Sequence, residues 1–486
     1  MMNSVPLTPA APASPARPGW RAATSYVLML AAAVGLFLVI RHYGEALAAP
    51  DAPPAAISVA APKAGQVDVV AHVLATLAAV VALGYVLGRA FAYLGQPPVI
   101  GEVVAGILLG PSLLGAISPA AMQALIPGPD ADPKGQVVAA LKAVSQLGVV
   151  LYMFLVGLEL NAAKLRRQAH STIAISHASI VAPFVLGSAL ALWLYPLLSH
   201  RGVPFTSFAL FMGVALSVTA FPVLARILAD RGLDKTEAGV VALGCAAADD
   251  VTAWCLLALV VGVARAQVGG AVVTAVWAVV FIAGMFAVVR PVAGRLCRGL
   301  DALPGPLPSV AVPGVFVAVL LSALLTEAVG VHAVFGAFLL GAVIPHESRL
   351  AREFTRKLKD VVTVLLLPAF FALTGLRTQI GLLTGWQNWA ICGAIVLVAT
   401  LGKFGGTFAA ARLTGRDSRT AAALGAMMNT RGLMGLIVLD IGLSMGVISE
   451  ALFAMMVVMA LVTTMATAPA LHFLMRERLP DSSSPD

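Results

Sequence analysis

The sequence predicts an all-α polytopic membrane protein with thirteen core transmembrane helices, inverted repeats and two crossed interrupted helices, behind an N-terminal hydrophobic segment. Three observations predict it. Of 486 residues, 60% are hydrophobic and 11% charged, where soluble domains carry about 25% charged residues. Apolar runs long enough to cross a hydrocarbon core of about 30 Å follow one another along the chain. Lys and Arg collect in alternate loops, as cytoplasmic loops do.

The elements read in order as follows. Residues 1–23 are rich in Pro and Ala and are expected to be disordered. Residues 24–40 form an apolar segment behind Arg17 and Arg21. It is either a signal peptide, with Ala46-Leu47-Ala48 as the cleavage site, or an extra transmembrane helix. Residues 41–66 are then an external linker. The core domain covers 67–475, with apolar segments near 68–93, 98–117, 143–160, 170–198, 206–229, 237–264, 270–293, 310–328, 331–345, 360–376, 388–411, 418–444 and 449–474. The ninth is short. Residues 476–486 are expected to be a short cytoplasmic tail, too small for a nucleotide-binding domain.

The basic loops set the orientation. Lys164, Arg166 and Arg167, then Arg226, Arg231 and Lys235, then Arg290, Arg295 and Arg298, then Arg349 to Lys359 lie on one side. The opposite loops hold isolated Lys134, Lys142, Arg201, Arg265 and Arg377. The first side is cytoplasmic, which places the C-terminus inside and the chain in a cell (inner) membrane. The net charge of +8 therefore implies a lipid bilayer as partner and no nucleic acid. Cys245, Cys255, Cys297 and Cys392 show no CxxC spacing, so no disulfide framework or bound metal is expected.

Charges at membrane depth are costly, by roughly 2.5–3.5 kcal/mol on insertion scales, and mark functional candidates. Asp249, Asp250, Lys403 and Arg431 lie near the middles of their segments. Neighbouring helical residues point about 100° apart, so the two aspartates cannot share one partner. One faces an ion path and the other supports it. Paired carboxylates suit a small hard cation and a proton; a buried ion pair that only fixes packing is the plainer alternative. Lys403, in LGKFGG (401–406), can exchange a proton or act as a fixed tether for Asp250.

Two segments look broken. Ser217-Val218-Thr219-Ala220-Phe221-Pro222 puts a proline and two hydroxyls at mid-membrane, and Asn429-Thr430-Arg431-Gly432 interrupts an apolar run. Backbone freed there survives only inside protein or beside a water-filled cavity. Each is fifth in its half of the core and the two cross in opposite directions, the pattern of an inverted repeat with its site at the crossing. Glu102 and Glu159, toward the cytoplasmic ends of their segments, are candidates for an entry funnel or for helix-end pairs with basic loops. Asp440 and Glu327 fall near the outer ends, where water reaches them. His332 and His346 flank the ninth segment; each could tune a pH response, and a packing role is the plainer reading.

Seven motifs, GEVVAGILLGPSLLG, FLVGLELN, SVTAFPVLARIL, AAADD, LPAFFALTGLRT, LGKFGGTFAA and MMNTRGLMGLIVLDIG, occur in an order that resembles the sodium/hydrogen exchanger domain of the monovalent cation:proton antiporter-2 family, over about 68–475. The resemblance implies an NhaA-like fold, a homodimer, no enzymatic activity and no cofactor. By it, Asp250 with Asp249 binds the transported Na+ or K+ and the proton, and Lys403 forms an ion pair with the binding aspartate. Ser217, Thr219, Pro222, Asn429 and Thr430 support the crossing, and Arg431 braces the twelfth helix. Relatives often carry Asp where Asn161 closes FLVGLELN, so the resemblance carries no role over to Asn161. Electrogenic Na+/H+ antiport by alternating access is the expected function. A K+/H+ antiporter of the potassium-efflux type, without its regulatory domain, is the alternative, and a cation channel on the same fold is a distant one. An intramembrane aspartyl protease is disfavoured, because its carboxylates come from different helices and no GxGD segment occurs here.

Overall fold

The apolar runs fold as helices. The computed structural model describes residues 19–50, 68–128, 131–159, 169–234, 236–264, 268–304, 306–329 and 332–475, and every regular element among them is helical. The predicted disordered stretch up to residue 18, the linker beyond residue 50, the loop with Asn161, Lys164, Arg166 and Arg167, and the tail lie outside the described residues. Among the described residues, eleven helices are long and apolar enough to cross a membrane, Thr24–Gly44 one of them. Three of the thirteen predicted segments, 206–229, 331–345 and 418–444, contain only shorter apolar helices. Two of those three are short because the chain breaks inside them.

Helices pack mainly into two groups. The first joins Val69–Tyr93, Pro98–Leu109, Gln136–Glu159, Ala311–Val329, Ala333–Val343 and Leu367–Arg377. The second joins Ala169–Leu198, Phe205–Ser217, Phe221–Asp230, Glu237–Ala264, Gly385–Leu413, Ser418–Met428, Leu433–Ser444 and Glu450–Met475. Among the described residues, the buried Asp249, Asp250, Lys403 and Arg431 belong to the second group. Helix Gly19–Gly44 lies against that group too, with Tyr26 edge-on to His177 and Phe37 tilted against Phe184.

The first interrupted helix runs Phe205–Ser217, passes through extended Val218 (φ −69°, ψ 133°), and resumes as Phe221–Asp230. Pro222 sits in the first turn of the second piece, where its missing N–H costs nothing. The second interrupted helix stops at Met428 and resumes at Leu433. The breaks bond each other: the Ala220 amide donates to Thr430 O at 3.1 Å, and Thr219 Oγ1 lies 3.3 Å from Met428 O. The freed backbone is thereby satisfied inside protein, as the bilayer demands.

The helix bearing Lys403 widens to a π-turn over Leu401–Gly405, a distortion found often at functional sites. Two glycines there allow close approach to the helix Ala169–Leu198. A Cβ at Gly402 would lie 2.7 Å from Pro183 Cα, and one at Gly406 would lie 2.7 Å from Ala182 Cβ. Gly402→Val should therefore push the lysine helix outward, at about 1–3 kcal/mol of overpacking. Exchange assayed in liposomes is expected to fall well before the protein loses its fold by thermal unfolding.

Candidate functional site

Asp249 and Asp250 sit mid-way along helix Glu237–Ala264, both fully buried. Asp249 turns toward the helix Ala169–Leu198 and is saturated with donors. Ser176 Oγ donates to Oδ1 at 2.7 Å; Ser179 Oγ and Thr219 Oγ1 donate to Oδ2 at 2.9 and 2.7 Å. Lys403 Nζ completes the set at 2.9 Å from Oδ2, an ion pair with neither side chain more than 1% exposed. Lys403 also donates to Ser217 O at 2.5 Å and to Ser179 Oγ at 3.5 Å.

This corrects one expectation. The ion pair with Lys403 that the resemblance placed on Asp250 is made by Asp249. The reason is rotational: the helix turns about 100° per residue, and the side facing Lys403 belongs to Asp249. Asp250 faces the first break, toward the Phe221 amide but too loosely for a hydrogen bond. Neither of its oxygens has a hydrogen-bond partner among the described residues. Asn429 Oδ1, at the second break, is likewise buried without a donor.

The half-helices supply the electrostatics of the crossing. Helix Phe205–Ser217 ends with its carbonyls toward the centre, and both buried cations meet them. Lys403 takes Ser217 O, while Arg431 Nη1 donates to Ala215 O at 3.1 Å and Val218 O at 3.3 Å. Cations at a helix C-terminus oppose the negative end of its dipole. Helix Phe221–Asp230 begins on the other side of the gap and turns its amide end toward Asp250, where negative charge is favoured. Arg431 is tied further to helix Glu450–Met475: its amide donates to Thr464 Oγ1 at 2.9 Å, and Thr464 Oγ1 donates to Arg431 O at 2.7 Å. Thr430 Oγ1 bonds Thr467 Oγ1 at 3.3 Å. Ser217 Oγ donates to Ile180 O at 3.0 Å and Gly213 O at 2.7 Å, beside the turn that Pro183 deprives of a donor.

The funnel candidates are placed differently from each other. Glu102 is half-buried with Oε2 unpartnered, whereas Glu159 is exposed, 3.8 Å from Lys359. Tyr152 lies half-buried on the same helix as Glu159, about two turns nearer its middle. Sequence reasoning missed Ser176 and Ser179. Two serines three apart on one face of an apolar run are a readable sign of that pair.

Outside the membrane-spanning segments, Asp417 caps helix Ser418–Met428, which leads to the second break. The Thr420 hydroxyl, and the Thr420 amide at 3.0 Å, hold its carboxyl below the usual range. A depressed carboxylate stabilises the fold above its unfolded-state value, and the contribution is lost as pH falls through the folded-state value. Asp417→Ala is expected to lower the melting temperature more at about pH 7 than at about pH 3, where the carboxyl is protonated in the unfolded chain.

A buried carboxylate with no hydrogen bond among the described residues, a neighbouring saturated ion pair and two crossing helix breaks define an ion-transporting membrane protein rather than a structural bundle. Residues 75–477 match the transmembrane sodium/hydrogen exchanger family, and the chain belongs to that family. It is 43% identical over 399 residues to the Na(+)/H(+) antiporter NhaS4 of Synechocystis, across 82% of this chain and 95% of that protein. It is 38% identical to Cation/H(+) antiporter 18 of Arabidopsis thaliana and 32% identical to K(+)/H(+) antiporter 1 of Saccharomyces cerevisiae, across 79% and 78% of this chain. The chain spans less than half the length of those two relatives, 47% and 43%. Among solved structures, the sodium proton antiporter MjNhaP1 of Methanocaldococcus jannaschii superposes with a TM-score of 0.62 at 12% identity. That match covers 85% of this chain and all of that one, and it speaks to the fold alone. The family is the one whose motifs the sequence resembled.

Proposed function

We propose that this protein exchanges a monovalent cation, Na+ in the first instance, for protons by alternating access, with Asp250 as the shared binding carboxylate. The observation that carries this reading is the contrast between the two aspartates. Asp249 is fully bonded, and Asp250, one residue on, is fully buried with neither oxygen in a hydrogen bond among the described residues. A bare carboxylate in such surroundings is expensive. A bound cation or a bound proton relieves the cost, and one excludes the other. Competition at Asp250 couples the two fluxes. Asn429 Oδ1 is available as a further oxygen, the ligand type hard cations take.

Lys403 and Asp249 are the pair that carries a second proton. When a cation binds, Asp250 and Lys403 each release a proton; when the cation leaves, Asp250 takes one proton back and Lys403 the other, its ammonium again pairing with Asp249. Two protons then move against one cation, and transport is electrogenic. The protein is proposed to act as a homodimer in the cell membrane, with the basic loops and C-terminus in the cytoplasm. K+/H+ exchange is a second reading, favoured by the similarity to a yeast protein named for K+.

Purified protein in liposomes with an internal pH dye tests this. Added Na+ should collapse a preset pH gradient, and K+ or Li+ should do so to a degree that ranks selectivity. An imposed membrane potential should change the rate if two protons move per cation. No response to any of the three cations would sink the antiport reading, and a rate blind to potential would sink the stoichiometry.

A further inference from the structure

The two helix groups are clasped together on the side away from the basic loops. Trp254 lies on the same helix as Asp250, one turn (about 6 Å) further along, on nearly the same face. It is 1% exposed, its indole Nε1 has no hydrogen-bond partner among the described residues, and its ring stacks on His332 at a centroid distance of 6.1 Å. Trp254 belongs to the group that carries the aspartates. His332 caps helix Ala333–Val343 of the other group. The stack therefore bridges the groups directly above Asp250.

Two more contacts bridge the groups at the same end. Arg377, closing helix Leu367–Arg377, forms an ion pair with Asp440 of helix Leu433–Ser444, both side chains about three-quarters shielded. Lys142 Nζ reaches Ser444 Oγ at 3.5 Å. Asp440 is thus a clasp residue rather than a simply hydrated one.

We infer that Trp254, His332, Arg377 and Asp440 are positioning residues of the transport cycle: their contacts close the route from Asp250 to the side opposite the basic loops and set how often the site faces that side. This rests on the antiport reading. Asp250 is reached from that side only after the indole leaves the imidazole and the Arg377–Asp440 pair parts. A site seen only in a fraction of molecules binds with an apparent affinity reduced by that fraction. Weakening the clasp therefore has opposite effects on the two sides. It raises apparent affinity on the clasped side and lowers it on the other, whereas ordinary structural damage weakens both.

The test measures half-saturating Na+ and K+ concentrations separately on each side, in proteoliposomes of determined orientation. Asp440→Asn and His332→Ala should each lower the constant on the side opposite the basic loops by about three- to tenfold and raise the other. Arg377→Asp combined with Asp440→Arg, which rebuilds the pair reversed, should return both constants toward wild type; it also serves if a single variant fails to fold. Constants that rise together on both sides, or that do not move, overturn the inference while leaving antiport standing. A wild-type protein with no cation-dependent proton flux overturns the antiport reading itself, and this inference with it.

Discussion

Asp250→Asn is expected to abolish cation-coupled proton movement while leaving the protein as stable as wild type or more so. The carboxamide has nearly the shape of the carboxylate. Asp250 makes no hydrogen bond among the described residues that the change would break. Removing an unpaired, fully buried acid also removes its desolvation cost. Loss of activity with an unchanged or raised melting temperature is the signature of a substrate-binding group. A melting temperature lowered by many degrees would instead mean that Asp250 braces the bundle, and exchange at the wild-type rate would remove it from the site altogether.

Lys403→Ala is expected to behave in the opposite way, with large losses of both stability and exchange. Breaking a buried ion pair from one side leaves an uncompensated charge and costs about 3–5 kcal/mol. Asp249 would keep only the hydroxyls of Ser176, Ser179 and Thr219, and Ser217 O would lose its ammonium donor. Asp249→Asn should destabilise comparably from the other side. The double variant Asp249→Asn, Lys403→Ala should be more stable than the sum of the singles predicts, because the two losses share one interaction. Thermal unfolding of the four proteins measures that coupling. If a stabilised Lys403→Ala background regains folding and two-proton exchange together, Lys403 is a tether only; folding regained with exchange lost, or reduced to one proton per cation, assigns it the second proton.

The elements that were legible in advance are those that lipid penalises. Asp249, Asp250, Lys403 and Arg431 stood out because a charge at mid-membrane needs a reason, and the breaks at Val218 and Thr430 stood out because a freed backbone does too. Ser176 and Ser179 did not, since a helical hydroxyl can bond its own preceding turn and costs the bilayer little. The partner of Lys403 was not legible either. It depends on the rotation of helix Glu237–Ala264 about its axis, set by packing against Ala169–Leu198 and by a π-turn at Leu401–Gly405 that no residue pattern announced. The number of full spans was harder to read than their places, because interrupted helices look like continuous apolar runs.

The most direct test of a shared carboxylate is the pH dependence of the half-saturating cation concentration for exchange in liposomes. If cation and proton compete at Asp250, that concentration rises as pH falls, by about tenfold per pH unit where Asp250 alone exchanges its proton and more steeply where Lys403 gives up its proton too, while the rate at saturating cation changes little over the same range. A half-saturating concentration independent of pH, with only the maximal rate responding to acid, would contradict competition at one site and with it the mechanism built on Asp250.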